Sequence, residues 1–259
     1  MPDPRLTDWA ERRLYAIVDL GYVAPEKAEE AAAALLEGGA GVLQLRAKGH
    51  GHALIEGLAR KLVGLCRAAN VPFVLNDFPH LAAAVGADGV HLGQDDGSLA
   101  AARDICGKDF LFGRSTHSLE QARAALEEGF DYIGFGPLFP TPTKLGRPAI
   151  GLEGLGQVEA AVGRSIPVFA IGGIVPATLP AVLAAGASRV VVVSALLQAP
   201  DVAAATRQLC AQLAAAHHQL DPFGNQSLDT CQKAVLTRPC NETTAPIHPC
   251  PCGTSVCRH

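Results

Sequence analysis

The sequence predicts an α/β fold of the (β/α)8 TIM-barrel class, on three observations. Eight short β-branched runs alternate with Ala-, Leu- and Glu-rich stretches of helical period, a pattern that requires parallel strands joined by crossover helices. One short turn recurs: Glu37–Val42, Val85–Val90, Glu127–Tyr132 and Ala185–Val190 each pass from a helix end, through glycine, into the next strand-like run. The chain length of 259 residues meets the roughly 250 that such barrels need. An open, doubly wound parallel sheet is the competing arrangement; eight units and a reused turn favour closure.

The expected strands are Leu14–Asp19, Gly41–Arg46, Pro72–Asn76, Gly89–Leu92, Phe110–Arg114, Tyr132–Gly136, Pro167–Gly172 and Arg189–Val193. Amphipathic stretches such as Pro25–Glu37, Leu54–Ala69, Leu119–Glu128 and Pro176–Ala185 supply helices between them. Gly38, Asn70, Gly86, Gly129 and Gly186 stand at their ends, because these residue types stop helices in the left-handed conformation. The barrel is expected over residues 1–218. Residues 219–259 lose the period, gain Pro and Thr, and hold five of the eight cysteines: Cys231, Cys240, Cys250, Cys252 and Cys257. With His248 and His259 they raise the question of zinc, but the spacing is not a paired Cys-x-x-Cys design. A disordered or non-native tail, dispensable for folding and turnover, is the expectation.

Composition excludes several classes. Twenty-one basic against 25 acidic residues give a net charge of −4, with none of the basic striping that marks nucleic-acid binders. No apolar run approaches the roughly 18 residues of a membrane span. The N-terminus mixes Asp3, Asp8 and Glu11 with Arg5, Arg12 and Arg13 and has no apolar signal core, so a cytoplasmic location is expected. Cys66, Cys106 and Cys210 are expected to pack as reduced thiols. A homo-oligomer stays open.

Function in such a barrel sits where strands end. On the second strand Gln44, Arg46 and Lys48 share one face, because strand side chains alternate. An Arg aimed into the barrel mouth is costly unless an anion meets it; it is either a phosphate contact or half of a structural ion pair. The third strand ends Asn76-Asp77 and the fourth runs on through Gln94-Asp95-Asp96. Carboxylates on neighbouring strand ends facing cations suit Mg²⁺, which takes one or two carboxylates plus water and phosphate oxygens. Asp95 or Asp96 can equally be a helix N-cap, and His91, inside a strand, reads as a packed core residue. Ser115 offers a hydroxyl after strand five. After strand six, Pro137, Pro140 and Pro142 shape a loop carrying Thr141, Thr143 and Lys144; its alternative is a rigid surface loop. Gly172-Gly173 and Ser194 follow strands seven and eight, where barrels commonly bind phosphate through backbone N–H groups. Two anion sites result. One is cationic enough for pyrophosphate and the other, near-neutral, suits a monophosphate, as in a two-substrate transferase that releases pyrophosphate.

Gln44-Leu45-Arg46-Ala47-Lys48, Asn76-Asp77, Gly89 to Asp96, Gly113 to His117, Gly136 to Lys144, Gly151-Leu152-Glu153 and Ile171 to Ile174 together resemble the thiamine-phosphate synthase family, over roughly residues 13–215. The resemblance implies condensation of aminopyrimidine methyl pyrophosphate with hydroxyethylthiazole phosphate to thiamine phosphate and pyrophosphate. It implies that Gln44 lies by the pyrimidine, and that Arg46, Lys48, Asn76, Ser115 and Lys144 contact pyrophosphate. It also implies that Asp77 and Asp96 hold Mg²⁺, and that Thr141, Thr143, Gly173, Val193 and Ser194 serve the thiazole phosphate. Arg46, Lys48, Ser115 and Lys144 are then the catalytic set. The implied path is dissociative: pyrophosphate leaves first, and the thiazole nitrogen attacks without a proton to remove. Phe78 departs from the family, which often has Arg there. In the short stretch Leu145 to Pro148, Arg147 either adds a phosphate contact or is merely solvated. A tautomerase of the same fold and a non-catalytic precursor-binding barrel are the rivals. Retention of Lys48, Asp77, Asp96 and Lys144 argues against the first, and a complete leaving-group site would be surplus in the second.

Overall fold

The structure, a computed structural model, describes residues 12–141 and 148–220, with side chains to residue 216. The chain separates into a unit ending at Gln219 and a second unit, Leu220–His259. The expected Cys-rich tail, with its predicted disorder, lies beyond the described residues.

Eight parallel strands close into a barrel in chain order. They are β1 (Leu14–Asp19), β2 (Val42–Arg46), β3 (Phe73–Asn76), β4 (Gly89–Leu92), β5 (Leu111–Thr116), β6 (Tyr132–Phe135), β7 (Val168–Ile171) and β8 (Val190–Val192). Pairing of Leu14 with Val190, Tyr15 with Val191 and Ala16 with Val192 closes the ring, which removes the open-sheet alternative. β5 runs two residues past its expected end, because Ser115 and Thr116 continue the pairing with Gly134 and Phe135.

Helices follow the strands: α1 (Ala28–Glu37), α2 (His52–Ala68), α3 (Pro79–Val85), α4 (Leu99–Cys106), α5 (Leu119–Glu128), α6 (Gly151–Val162), α7 (Leu179–Ala184), the single turn α8 (Ser194–Leu197) and α9 (Val202–Leu220). Two begin later than their sequence pattern suggests. Pro25–Lys27 forms a 3-10 turn before α1. Before α7, the Thr178 hydroxyl accepts the Val175 N–H at 3.0 Å and closes a turn of its own. Among the described residues no helix is long and apolar enough to cross a membrane, and Cys66, Cys106 and Cys210 are thiols rather than disulfides.

The recurring turn is one hydrogen-bond motif. Ala40, Val71, Ala87, Phe130 and Ala187 each donate N–H to the carbonyl five residues back, at 2.9–3.3 Å. The residue before each, Gly39, Asn70, Gly86, Gly129 or Gly186, has φ between 55° and 105°. This is the Schellman closure, which needs a left-handed residue. At the end of α1 the stop is therefore Gly39, not Gly38, whose φ is −73°. Gly38 instead makes room for α9: an added Cβ would lie 2.3 Å from the Thr206 Cβ.

Alternation along the strands divides the core. Leu14, Ala16, Val18, Leu43, Leu45, Phe73, Leu75 and Phe112 face the helices. Tyr15, Ile17, Val42, Val74, Tyr132, Phe169 and Val191 fill the barrel interior. The inner row continues upward into polar groups, so a closed apolar floor supports a polar mouth.

One buried charge stands at odds with stability. Burial pushes the Glu159 carboxyl on α6 from its ordinary 4.5 up to about 7, against the opposing pull of Arg189, and its Oε1 has no hydrogen-bond partner. The folded chain thus holds this proton more tightly than the unfolded chain. The resulting stabilisation is complete below pH 4.5 and is lost as pH rises to about 7. Its ceiling is about 3 kcal/mol, less where water reaches the group. Glu159→Gln should raise Tm at pH 8 and leave it near wild type at pH 4.5, measured by thermal melts; equal shifts at both pH values would contradict this origin.

Candidate active site

The inner row of strand residues ends at the C-terminal mouth in a cavity of about 450 Å³. Gln44, Arg46, Lys48, Asn76, Asp77, Asp96 and Ser115 all line it. Residues from three strands, β2, β3 and β5, and from the loops after β2, β3 and β4 therefore meet in one space, as their shared strand faces require.

Its cationic wall is built from β1 and β2. Arg46 pairs with Asp19, Nη1 to Oδ2 at 2.8 Å, and Asp19 is 1% exposed. Asp19 also accepts the Gly21 N–H at 2.9 Å. The structural ion pair left open by the sequence thus exists. A guanidinium has five N–H donors, so one bond to Asp19 still permits contact with an anion in the cavity that Arg46 lines. Asp19, missed in the sequence, becomes recognisable only when β1 pairs with β2 and sets it beside Arg46. Lys48, more than half exposed, approaches Asp77 at 3.6 Å.

The acidic wall is a coupled pair. Burial first, then the hydrogen bond and charge of Asp96, push the Asp77 carboxyl up to about 6, with Lys48 opposing. Burial also acts on Asp96, but the hydrogen bond from Asp77, the Gly93 N–H, Lys48 and Arg114 hold it below its ordinary value. Below about pH 6 Asp77 therefore keeps a proton that it donates to Asp96. Asp77 and Phe78 both have positive φ, 59° and 52°, a costly backbone for non-glycine residues, and it sets the Asp77 carboxyl toward Asp96. Phe78, the departure from the resembling family, packs its ring 4.9 Å from His52.

The loop carrying Asp96 is pinned from β5. Arg114 donates to the carbonyls of Gly93 at 2.9 Å, Gly97 at 3.0 Å and Gln94 at 3.3 Å. The Gln94 amide in turn donates to the Ser115 carbonyl at 2.6 Å. Neither Asp95 nor Asp96 caps α4. Ser98 does, accepting the Ala101 N–H at 3.2 Å, while Asp96 accepts the Gly93 N–H at 2.7 Å.

His91 also differs from expectation. It lines the cavity and bonds Ser115 Oγ through Nε2 at 2.9 Å. Only the register of β4 and β5 reveals that proximity.

A smaller pocket adjoins, lined by Thr141, Gly172, Gly173, Val193 and Ser194, and shares Ile171 and Val193 with the large cavity. The glycine pair has a structural reason beyond anion approach. Gly172 and Gly173 have φ of 103° and 66°, and an added Cβ would lie 2.5 Å from Pro137 Cα and 2.7 Å from Phe139 Cβ respectively. The segment after β6 crosses directly over them. Thr143, Lys144 and Arg147 lie outside the described residues.

Known proteins place this arrangement. The sequence profile described as thiamine monophosphate synthase matches residues 14–196. The chain is similar to thiamine-phosphate synthase of Thermus thermophilus, at 49% identity over 174 residues, 67% of this chain and 83% of that one. It is 43% identical over 205 residues to that of Chloroflexus aurantiacus, covering 79% of this chain and 92% of the other. Among solved structures, thiamine phosphate pyrophosphorylase from Pyrococcus furiosus superposes with a TM-score of 0.72 at 36% identity, over 80% of this chain and 97% of that one. A match that runs through every strand from β1 to β8 is a match to the whole barrel, and the chain belongs to the thiamine monophosphate synthase family of transferases.

Proposed function

We propose that this transferase joins aminopyrimidine methyl pyrophosphate to hydroxyethylthiazole phosphate, releasing pyrophosphate and forming thiamine phosphate by a dissociative path. The observation that carries the reading is the adjacency of two unlike pockets. A cavity with cationic and carboxylate walls shares Ile171 and Val193 with a small pocket bearing Gly173 and Ser194. The first suits a pyrophosphate, the second a monophosphate, and their shared wall is where two substrates meet.

The carboxylate pair fits Mg²⁺. The neighbouring charge of Asp96 helps raise the Asp77 carboxyl to about 6, and a divalent cation between the two carboxylates relieves that repulsion. Among the described residues no cluster of three or more His, Cys, Asp or Glu gathers, so such a cation draws its other ligands from water and substrate phosphate, as Mg²⁺ prefers. When bound, it supplies charge neutralisation for the departing pyrophosphate.

The remaining work belongs to side chains. Arg46, Lys48, Asn76 and Ser115 offer donors to the diphosphate from β2, β3 and β5, and Lys144 adds a further cation. These groups gain most as negative charge grows on the leaving group. Gln44, 2% exposed, lines the same cavity and serves the pyrimidine ring. Thr141, Thr143, Gly173, Val193 and Ser194 hold the thiazole phosphate so that its ring nitrogen faces the carbon losing pyrophosphate, which makes the reaction a matter of alignment. The attacking nitrogen carries no proton, so no general base is needed.

Pyrophosphate release from the two substrates together tests the reading. Release that depends on both supports it; release from neither, or turnover of the thiazole phosphate alone, favours the binding barrel or the tautomerase. Asp77→Asn and Asp96→Asn should each weaken Mg²⁺ activation and slow turnover by about 10–100-fold, with the fold intact by circular dichroism. Normal Mg²⁺ titration in both variants would locate the cation elsewhere.

A further inference from the structure

Beneath the cavity floor a line of hydrogen bonds crosses the barrel. Gln44 Nε2 donates to the Tyr15 hydroxyl at 3.1 Å. The Tyr15 and Tyr132 hydroxyls are 3.0 Å apart. Tyr132 lies 3.2 Å from His91 Nδ1, and His91 Nε2 lies 2.9 Å from Ser115 Oγ. Both phenols are at most 2% exposed. The backbone is shaped around them. At Gly113 an added Cβ would lie 2.1 Å from Tyr132 Cζ and 2.5 Å from His91 Nδ1. The side chain missing from β5 is what lets these two rings meet.

Followed from the Gln44 N–H, one run of protons satisfies every link. A phenol owns one proton and also accepts. In this run Tyr15 donates to Tyr132, and Tyr132 to His91 Nδ1. An imidazole nitrogen that accepts fixes the proton on the other nitrogen, and Nε2–H then donates to Ser115. A serine oxygen that receives this bond has its own proton to give elsewhere, and Ser115 lines the cavity. Such aligned bonds reinforce one another in a low-dielectric interior. Burial raises the proton affinity of both tyrosines, which keeps both phenols neutral.

We propose that Tyr15, Tyr132 and His91 are positioning residues: they hold His91 as its Nε2–H tautomer and thereby turn the Ser115 hydroxyl proton toward the leaving pyrophosphate. The proposal rests on the functional reading above, but its physical core, the tautomer, does not. The same line also links the residue beside the pyrimidine, Gln44, to the donor for its leaving group.

The test is imidazole ¹⁵N NMR on the full chain, with His91 assigned by loss of its signals in His91→Gln. Wild type should show a protonated Nε2 and an unprotonated Nδ1. Tyr132→Phe should abolish that preference and lower kcat for pyrophosphate release by about tenfold, the scale of partners that orient an imidazole. KM for the thiazole phosphate should not move, since its pocket holds neither residue. Should Tyr132→Phe not fold, the wild-type tautomer alone decides; Tyr15→Phe leaves the Tyr132 hydroxyl on His91 Nδ1 and should keep the Nε2–H preference. An Nδ1–H tautomer in wild type, or wild-type kcat in folded Tyr132→Phe, overturns the proposal. If wild type releases no pyrophosphate while His91 is the Nε2–H tautomer, the functional reading falls and the aim of Ser115 at pyrophosphate falls with it, whereas a reversed tautomer in an active enzyme sinks the proposal alone.

Discussion

Lys144→Ala should lower kcat by about 10²–10³-fold, the usual loss when a preorganised donor to a developing charge is removed. Affinity for the thiazole phosphate should stay near wild type. The expectation comes from the position of Lys144 in a proline-shaped loop after two threonines and from the chemistry of the leaving group, whose charge grows as the C–O bond breaks. Lys144 itself is outside the described residues, but the flanks of its loop are tied down. Leu138 and Phe139 donate to the carbonyls of Ile171 and Gly172 at 2.9 and 3.1 Å, and Ile150 donates to the Pro137 carbonyl at 2.8 Å. Lys144→Arg should rescue only in part, because a planar fork does not reproduce a compact ammonium. Steady-state kinetics of the three proteins measure this. Near-normal kcat in Lys144→Ala would mean that the loop is structural and that Arg46, Lys48 and the cation suffice.

Arg46→Ala should harm both stability and turnover, and the two losses can be separated. Removal of the guanidinium leaves the Asp19 carboxylate, 1% exposed, with the Gly21 N–H but without its countercharge. Breaking such a pair from one side costs about 3–5 kcal/mol, a fall in Tm of roughly 10 °C for a domain of this size. Asp19→Asn combined with Arg46→Ala removes the orphaned charge and should recover most of that Tm. It should not recover turnover, since the pyrophosphate contact proposed for Arg46 is still missing. Thermal melts and pyrophosphate release on both variants decide the matter. A double variant that regains turnover would make Arg46 a purely structural partner of Asp19, the alternative that strand alternation alone cannot separate from a phosphate contact.

By itself the sequence determined the barrel. Strand–helix alternation and glycine-closed turns are local properties, written within a few residues of one another, and they survive in the structure as five copies of one Schellman closure. Alternation on a single strand likewise placed Gln44, Arg46 and Lys48 on the cavity side. The tertiary structure alone decided who meets whom across strands. Asp19 reaches Arg46 over 27 residues, Tyr15 reaches Tyr132 over 117, and Arg114 holds the Asp96 loop from the next strand. It chose Ser98 over two equally good aspartates as the cap of α4 and turned His91 from an expected core residue into a cavity wall. The reason is physical: periodicity reports which face a side chain occupies, whereas its partner is set by the register between strands separated by a whole crossover helix, and no local pattern encodes that register.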